Sequence, residues 1–202
     1  MDKINPQQLL DENRSKYQKN NFIVKWLKRT VFIIKLFFMN LKTDPGKILK
    51  YPDPRLKRIS VKVEKFDKEL ENTIKTMWVI LKRQKWGQQL GIAAPQIGIN
   101  QRIMIVLGQE MINPEWTPAR TPTEDFTEGC YSLGEGNYYK VPRVKYGWAK
   151  WQNLKGEWME EKLNDMKARV FMHELGHLDG ICCNDIGEEV IKDGAKYTIK
   201  QE

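Results

Sequence analysis

The sequence predicts an α+β fold in which antiparallel strands pack around a helix carrying two histidines, His173 and His177. Three observations lead there. Apolar residues recur at helical spacing over residues 66–85, through Phe66, Leu70, Ile74, Met77, Trp78 and Leu81. Residues 144–163 read as a hairpin turning near Asn153-Leu154-Lys155-Gly156. Helical spacing returns over residues 164–178, with Asn164 or Asp165 placed to cap it.

Length and composition agree with one such domain plus an extension. The chain has 202 residues, 41% of them hydrophobic, which suffices for a buried core; 30% charged residues exclude a multi-span membrane protein. The formal charge of +8 would suggest a polyanionic partner, but it is unevenly placed. Residues 1–42 hold nine Lys/Arg against three acids, a net of +6, so the remainder carries only +2. The polyanion argument therefore concerns the N-terminal fifth.

Within that fifth, residues 22–41 are the most apolar run, interrupted by Lys25, Lys28, Arg29 and Lys35. On a helix these charges and Lys42 share an arc of about 140°, the pattern of a basic amphipathic helix. Such a helix suits a membrane surface or a protein partner; packing on its own domain, or a non-native leader ahead of a start at Met39, are the plainer readings. Residues 43–47, with Pro45 and Gly46, read as a linker, and residues 48–202 as the domain proper. Tyr51-Pro52-Asp53-Pro54 reads as a turn, and Gly87 suits the end of the first domain helix. The run 102–107 is a candidate buried strand, and the Gly- and Pro-punctuated stretch from there to Pro122 reads as irregular.

Chemistry is concentrated in His173-Glu174-Leu175-Gly176-His177, which uses both histidines of the chain. At i and i+4 on a helix, two imidazoles face the same way and grip one divalent metal, while Glu174 addresses its water. A third protein ligand is needed. Of the three cysteines, an odd number that fits a reducing compartment, Cys130 and Cys183 are the candidates. Cys183 would complete a metzincin-like zinc endopeptidase pattern that matches through Gly180.

Three motifs in order, Gly91-Ile92-Ala93-Ala94-Pro95-Gln96-Ile97-Gly98, Glu128-Gly129-Cys130-Tyr131-Ser132 and His173-Glu174-Leu175-Gly176-His177-Leu178, resemble those of peptide deformylases. Tyr51-Pro52-Asp53-Pro54-Arg55-Leu56 is similar to the start of that family's domain, and the resemblance covers about residues 47–185. It implies a hydrolase that removes the formyl group from N-formylmethionyl peptides and releases formate. It also implies metal ligation by Cys130, His173 and His177, with Fe2+ as the usual ion and Zn2+, Ni2+ or Co2+ accepted. Glu174 would be general base and then general acid; Gln96 and the backbone N–H of Tyr131 would stabilise the oxyanion. Leu90 and Gly91 would dock the peptide backbone, and Ile92 and Val170 would line the methionine pocket.

The family's work on new chains implies a cytoplasmic location and a ribosome within reach of a basic surface; nothing points to specific DNA binding. Gln89, Met172 and Gly176 depart from the family's usual Gly, Gln and Asp. The loss of two polar side chains beside the histidines lowers metal affinity or rate by roughly 10- to 100-fold unless other groups compensate. A protein that holds peptides or ribosomes without turning them over is the reading those departures favour.

Overall fold

The structure, a computed structural model, describes residues 47–84, 90–193 and 196–199. The expectations for residues 1–42, most of the linker, Gly87 and Gln89 lie outside them.

Helix α1, Lys68–Arg83, begins where Asp67 accepts hydrogen bonds from the backbone N–H groups of Glu69 and Leu70. Its buried residues Leu70, Ile74, Met77, Ile80 and Leu81 follow the predicted stripe. The stripe meets one face of a sheet ordered β1-β2-β3-β6-β7, comprising Gly91–Ala93, Ile103–Val106, Gln109–Pro118, Tyr146–Gln152 and Trp158–Asn164. Strand alternation sorts the side chains between the two faces. Ile92, Ile103 and Ile105 join the core under α1, whereas Ala93, Met104 and Val106 join a second core. That second core is built with Ala168, Val170, Phe171 and Leu178 of helix α2, Asp165–Leu178. Helices on both faces explain why residues 103–106 are apolar without alternation.

All sheet pairings are antiparallel, and the predicted hairpin is β6–β7, with Gly156 at a φ of 78° in its turn. The stretch after Leu107, expected to be irregular, instead contains the ten-residue strand β3. Leu107 and Gly108, both at positive φ, make a two-residue turn that returns the chain directly beside β2. Register then shifts between Ile112 and Glu115, where Asn113 adopts a φ of 51°. Its side chain accepts from the Val63 N–H and donates to the Val63 carbonyl and to Gln152 Oε1, each at 2.8 Å.

A second sheet, ordered β4-β5-β8-β9, comprises Thr123–Gly129, Tyr138–Val144, Glu188–Asp193 and Lys196–Ile199. The leading residues 48–63 lie across both halves as a strap. Leu49 N–H donates to the Gln96 carbonyl, Tyr51 N–H to that of Ser132 and Ser60 N–H to that of Leu178. The expected turn at Tyr51–Pro54 is present, and Asp53 caps a short 3-10 helix, Pro54–Lys57. No helix among the described residues is long and apolar enough to cross a membrane.

Candidate metal centre and active site

Helix α2 carries His173, Glu174 and His177. Asn164 occupies its N-cap position, but with no side-chain capping bond; the helix is held by its apolar face instead. Its end is a left-handed cap. Gly180 has a φ of 74°, Ile181 N–H donates to the Gly176 carbonyl, and Gly180 N–H donates to that of His177. A Cβ on Gly180 would lie 2.5 Å from the Lys57 carbonyl oxygen, and one on Gly176 would lie 2.9 Å from that of Ile181. Close backbone approach thus accounts for both glycines, including the Gly180 that suggested a peptidase pattern.

Cys130 follows β4 and opens the turn before β5, its carbonyl accepting from the Leu133 and Gly134 N–H groups. Its Sγ lies 3.2 Å from His177 Nε2. One ligand atom each from Cys130, His173 and His177 all fall within 4.8 Å of one another. The far nitrogens are engaged: His173 Nδ1 is 2.9 Å from Glu128 Oε2, and His177 Nδ1 is 3.6 Å from Cys182 Sγ. That leaves each Nε2 to face the thiol, which is the tautomer arrangement of a metal-binding pair. A soft sulfur with two imidazoles fits a divalent transition metal. Cys183 stands outside this cluster and serves it differently. Its hydrogen bond to Cys130 is the main influence holding the Cys130 thiol well below its usual range; burial opposes it and His177 assists.

Sequence reasoning named Glu128 only as part of a motif and passed over Arg143. Arg143 clamps both Glu128 oxygens at 2.9 Å, with both side chains about 10% exposed or less. Burial raises the Glu128 carboxyl, but the Arg143 fork and His173 outweigh it and hold it at about 2. An ionised carboxylate therefore orients His173, a duty the side chain at Met172 is unable to take. Nothing in the spacing of 128 and 143 announces this pairing, which arises because β4 and β5 set Glu124 against Arg143 and strand alternation puts Glu128 on the same face of the pair.

Gln96 is 1% exposed. Its Oε1 accepts from the Ala93 N–H at 2.8 Å, which turns its Nε2 toward Ser132 Oγ at 3.3 Å and Cys130 Sγ at 3.8 Å. Glu174 is also buried, with an Oε2 that has no hydrogen-bond partner, and burial pushes its carboxyl up to about 7 against the pull of the two histidines. A Cβ on Gly91 would lie 2.5 Å from Glu174 Oε1; only glycine lets β1 pass the carboxylate this closely.

These groups meet in a cavity of about 510 Å³, lined by Leu90, Gly91, Gln96, Tyr131, Val170, His173 and Glu174 among others. Ile92 is the exception among the expected lining residues. Strand alternation turns its side chain to the opposite face, fully buried under α1.

A sequence model described as polypeptide deformylase matches residues 45–190. The peptide deformylase of Thermotoga maritima is 37% identical over 139 residues, 67% of this chain and 82% of that protein. Its crystal structure aligns with a TM-score of 0.65 at 36% identity, covering 70% of this chain and 96% of that one. A Plasmodium falciparum peptide deformylase solved with an inhibitor aligns with the same TM-score at 31% identity, covering 70% and 88%. The metzincin reading gives way to these matches, and the chain belongs to the peptide deformylase family, metal-dependent hydrolases that remove the formyl group from new peptides.

Proposed function

We propose that this chain hydrolyses N-formylmethionyl peptides with Cys130, His173 and His177 holding one ion, Fe2+ by preference and Zn2+, Ni2+ or Co2+ as substitutes. The observation that carries the proposal is the convergence, in one cavity, of this soft ligand set with an unpartnered, buried Glu174. A bound ion supplies Lewis-acid activation of water near neutral pH. Glu174, with its carboxyl raised to about 7, would take a proton from the attacking water and return it to the departing amine. Gln96, oriented by Ala93, aims its amide hydrogens at the region where charge develops on the formyl oxygen, and the Tyr131 backbone N–H is the second donor.

The peptide lies extended. β1 is an edge of the five-stranded sheet and β4 an edge of the four-stranded one, and the cavity runs between Leu90-Gly91 and Thr127-Glu128-Gly129. Backbone pairing at these edges holds the chain, with Val170 beside the methionine side chain. The helix bearing both histidines is the central element of this arrangement. The same reading includes a cytoplasmic location and access to chains on the ribosome, supported by three unpaired buried cysteines. Docking through residues 22–42 concerns residues outside those described.

The test is formate release from a formyl-Met peptide by protein prepared anaerobically with iron or nickel, as the full chain and as a version starting at Met39. Turnover is expected. Peptide binding at full metal occupancy with no formate would overturn the proposal in favour of a non-catalytic binding protein.

A further inference from the structure

One charge in the cavity wall has no part in the hydrolysis just described. Met166, Arg169, Val170, His173 and Glu174 lie on one face of α2 and all line the cavity. Arg169 rests its guanidinium on the Phe126 ring, with Cζ 3.0 Å from the centroid. Its Nε is sealed from water and has no acceptor.

Among the described residues no acid forms an ion pair with Arg169, Asp165 four residues back on the same helix included. Glu128 is taken by Arg143 and His173, Glu161 by Lys167, and Glu174 belongs to the chemistry. Glu135, exposed at the cavity mouth, makes no ion pair with Arg169 among the described residues. A guanidinium over a ring keeps its outer N–H groups in its own plane, where they match two oxygens of a carboxylate. Arg169 stands four residues from His173, about 6 Å along the axis. An extended peptide advances about 3.3 Å per residue, so Arg169 is level with the first or second residue beyond methionine.

We propose that Arg169 is a specificity-determining residue that receives a carboxylate from the substrate, an Asp or Glu side chain within two residues after formylmethionine or the terminal carboxylate of a short peptide. The inference rests on the formyl-peptide reading above.

Initial rates of formate release would be compared for formyl-Met-Asp-Ala-amide and formyl-Met-Ala-Asp-amide against their Asn isosteres, and for formyl-Met-Ala as free acid against its amide. The first two pairs report a side-chain carboxylate and the third a terminal one. The iron- or nickel-loaded full chain is expected to favour the carboxylate member of at least one pair by about five- to tenfold in kcat/KM, the scale of a charged hydrogen bond at a partly wet site. In Arg169→Gln that ratio should fall to about one, and in Arg169→Lys, which keeps the charge without the fork, to an intermediate value. Ratios taken within each protein cancel changes in overall rate. Equal rates for every pair in the unmodified protein, which needs no variant to fold, would overturn the proposal, as would a preference that persists in Arg169→Gln. Failure of the neutral peptides to release formate would overturn the parent reading as well, so the two failures are told apart.

Discussion

The five-stranded sheet is clamped between α1 and α2 by side chains such as Ile92, Met104, Ile105 and Met111, which are completely buried. The four-stranded sheet instead meets the site through Glu128 and Arg143, and through Cys130 and Cys183 in the segments beside it, all with charged or hydrogen-bonded contacts. Among the described residues, the apolar cluster beside it has Cys130, Val141 and Cys183 as its buried members. The frame and the reactive half are thus stabilised by different forces. The proposed metal ligands straddle them, since Cys130 follows β4 while both histidines ride on the helix packed under the five-stranded sheet. Burial of apolar surface tolerates many sequences of similar volume, whereas the polar half depends on particular atoms at particular distances.

Five experiments press on that division. Glu174→Gln is expected to lower kcat/KM by about 10²- to 10⁴-fold while thermal unfolding and metal content stay near the parent values. A parallel fall in melting temperature would mean that the carboxylate belongs to the frame. Ile105→Ala, in the apolar half, should cost about 2–5 kcal/mol in denaturant unfolding yet leave kcat/KM of the folded fraction close to unchanged. Next comes Glu128→Gln, expected to weaken metal retention against a chelator by roughly 10- to 100-fold.

The same carboxylate makes a pH prediction. Its folded value of about 2 lies below the ordinary 4.5, so its stabilisation is present above pH 4.5 and is lost as pH falls from there through 2. Acid unfolding of Glu128→Gln should show a smaller decline across that window than the parent. The last comparison concerns ligand choice. Cys130→Ser should abolish stoichiometric metal binding, while Cys183→Ser, which removes only a hydrogen bond to the thiol, should retain the ion; loss of metal in the second variant alone would reassign the ligand.

What could be read from the residues followed the same division. The apolar stripe of α1, the β6–β7 hairpin and the spacing of His173 and His177 are periodic, and the structure contains them. β4 reads Thr-Glu-Asp-Phe-Thr-Glu-Gly, mostly exposed, with no alternation to mark it as a strand; it exists because β5 pairs with it along its whole length. β3 was hidden by Leu107, whose positive φ is unusual for a branched residue and whose identity therefore does not announce a turn. Ile92 was misplaced because a motif names residues without saying which face of a strand each occupies. Arg143 had no local signal at all, since its role depends on a carboxylate brought to it by the β4–β5 pairing.

Synthesis runs against the strap formed by residues 48–63. Ser60 waits for the carbonyl of Leu178, Tyr51 for that of Ser132, and Leu49 for that of Gln96. These partners emerge from the ribosome in the order 96, 132, 178, and the last of them closes only after both histidines have left the exit tunnel. Pairings this distant in sequence make late folding the slow part of maturation. An enzyme whose substrates are growing chains is itself inert until almost all of its own domain has been made.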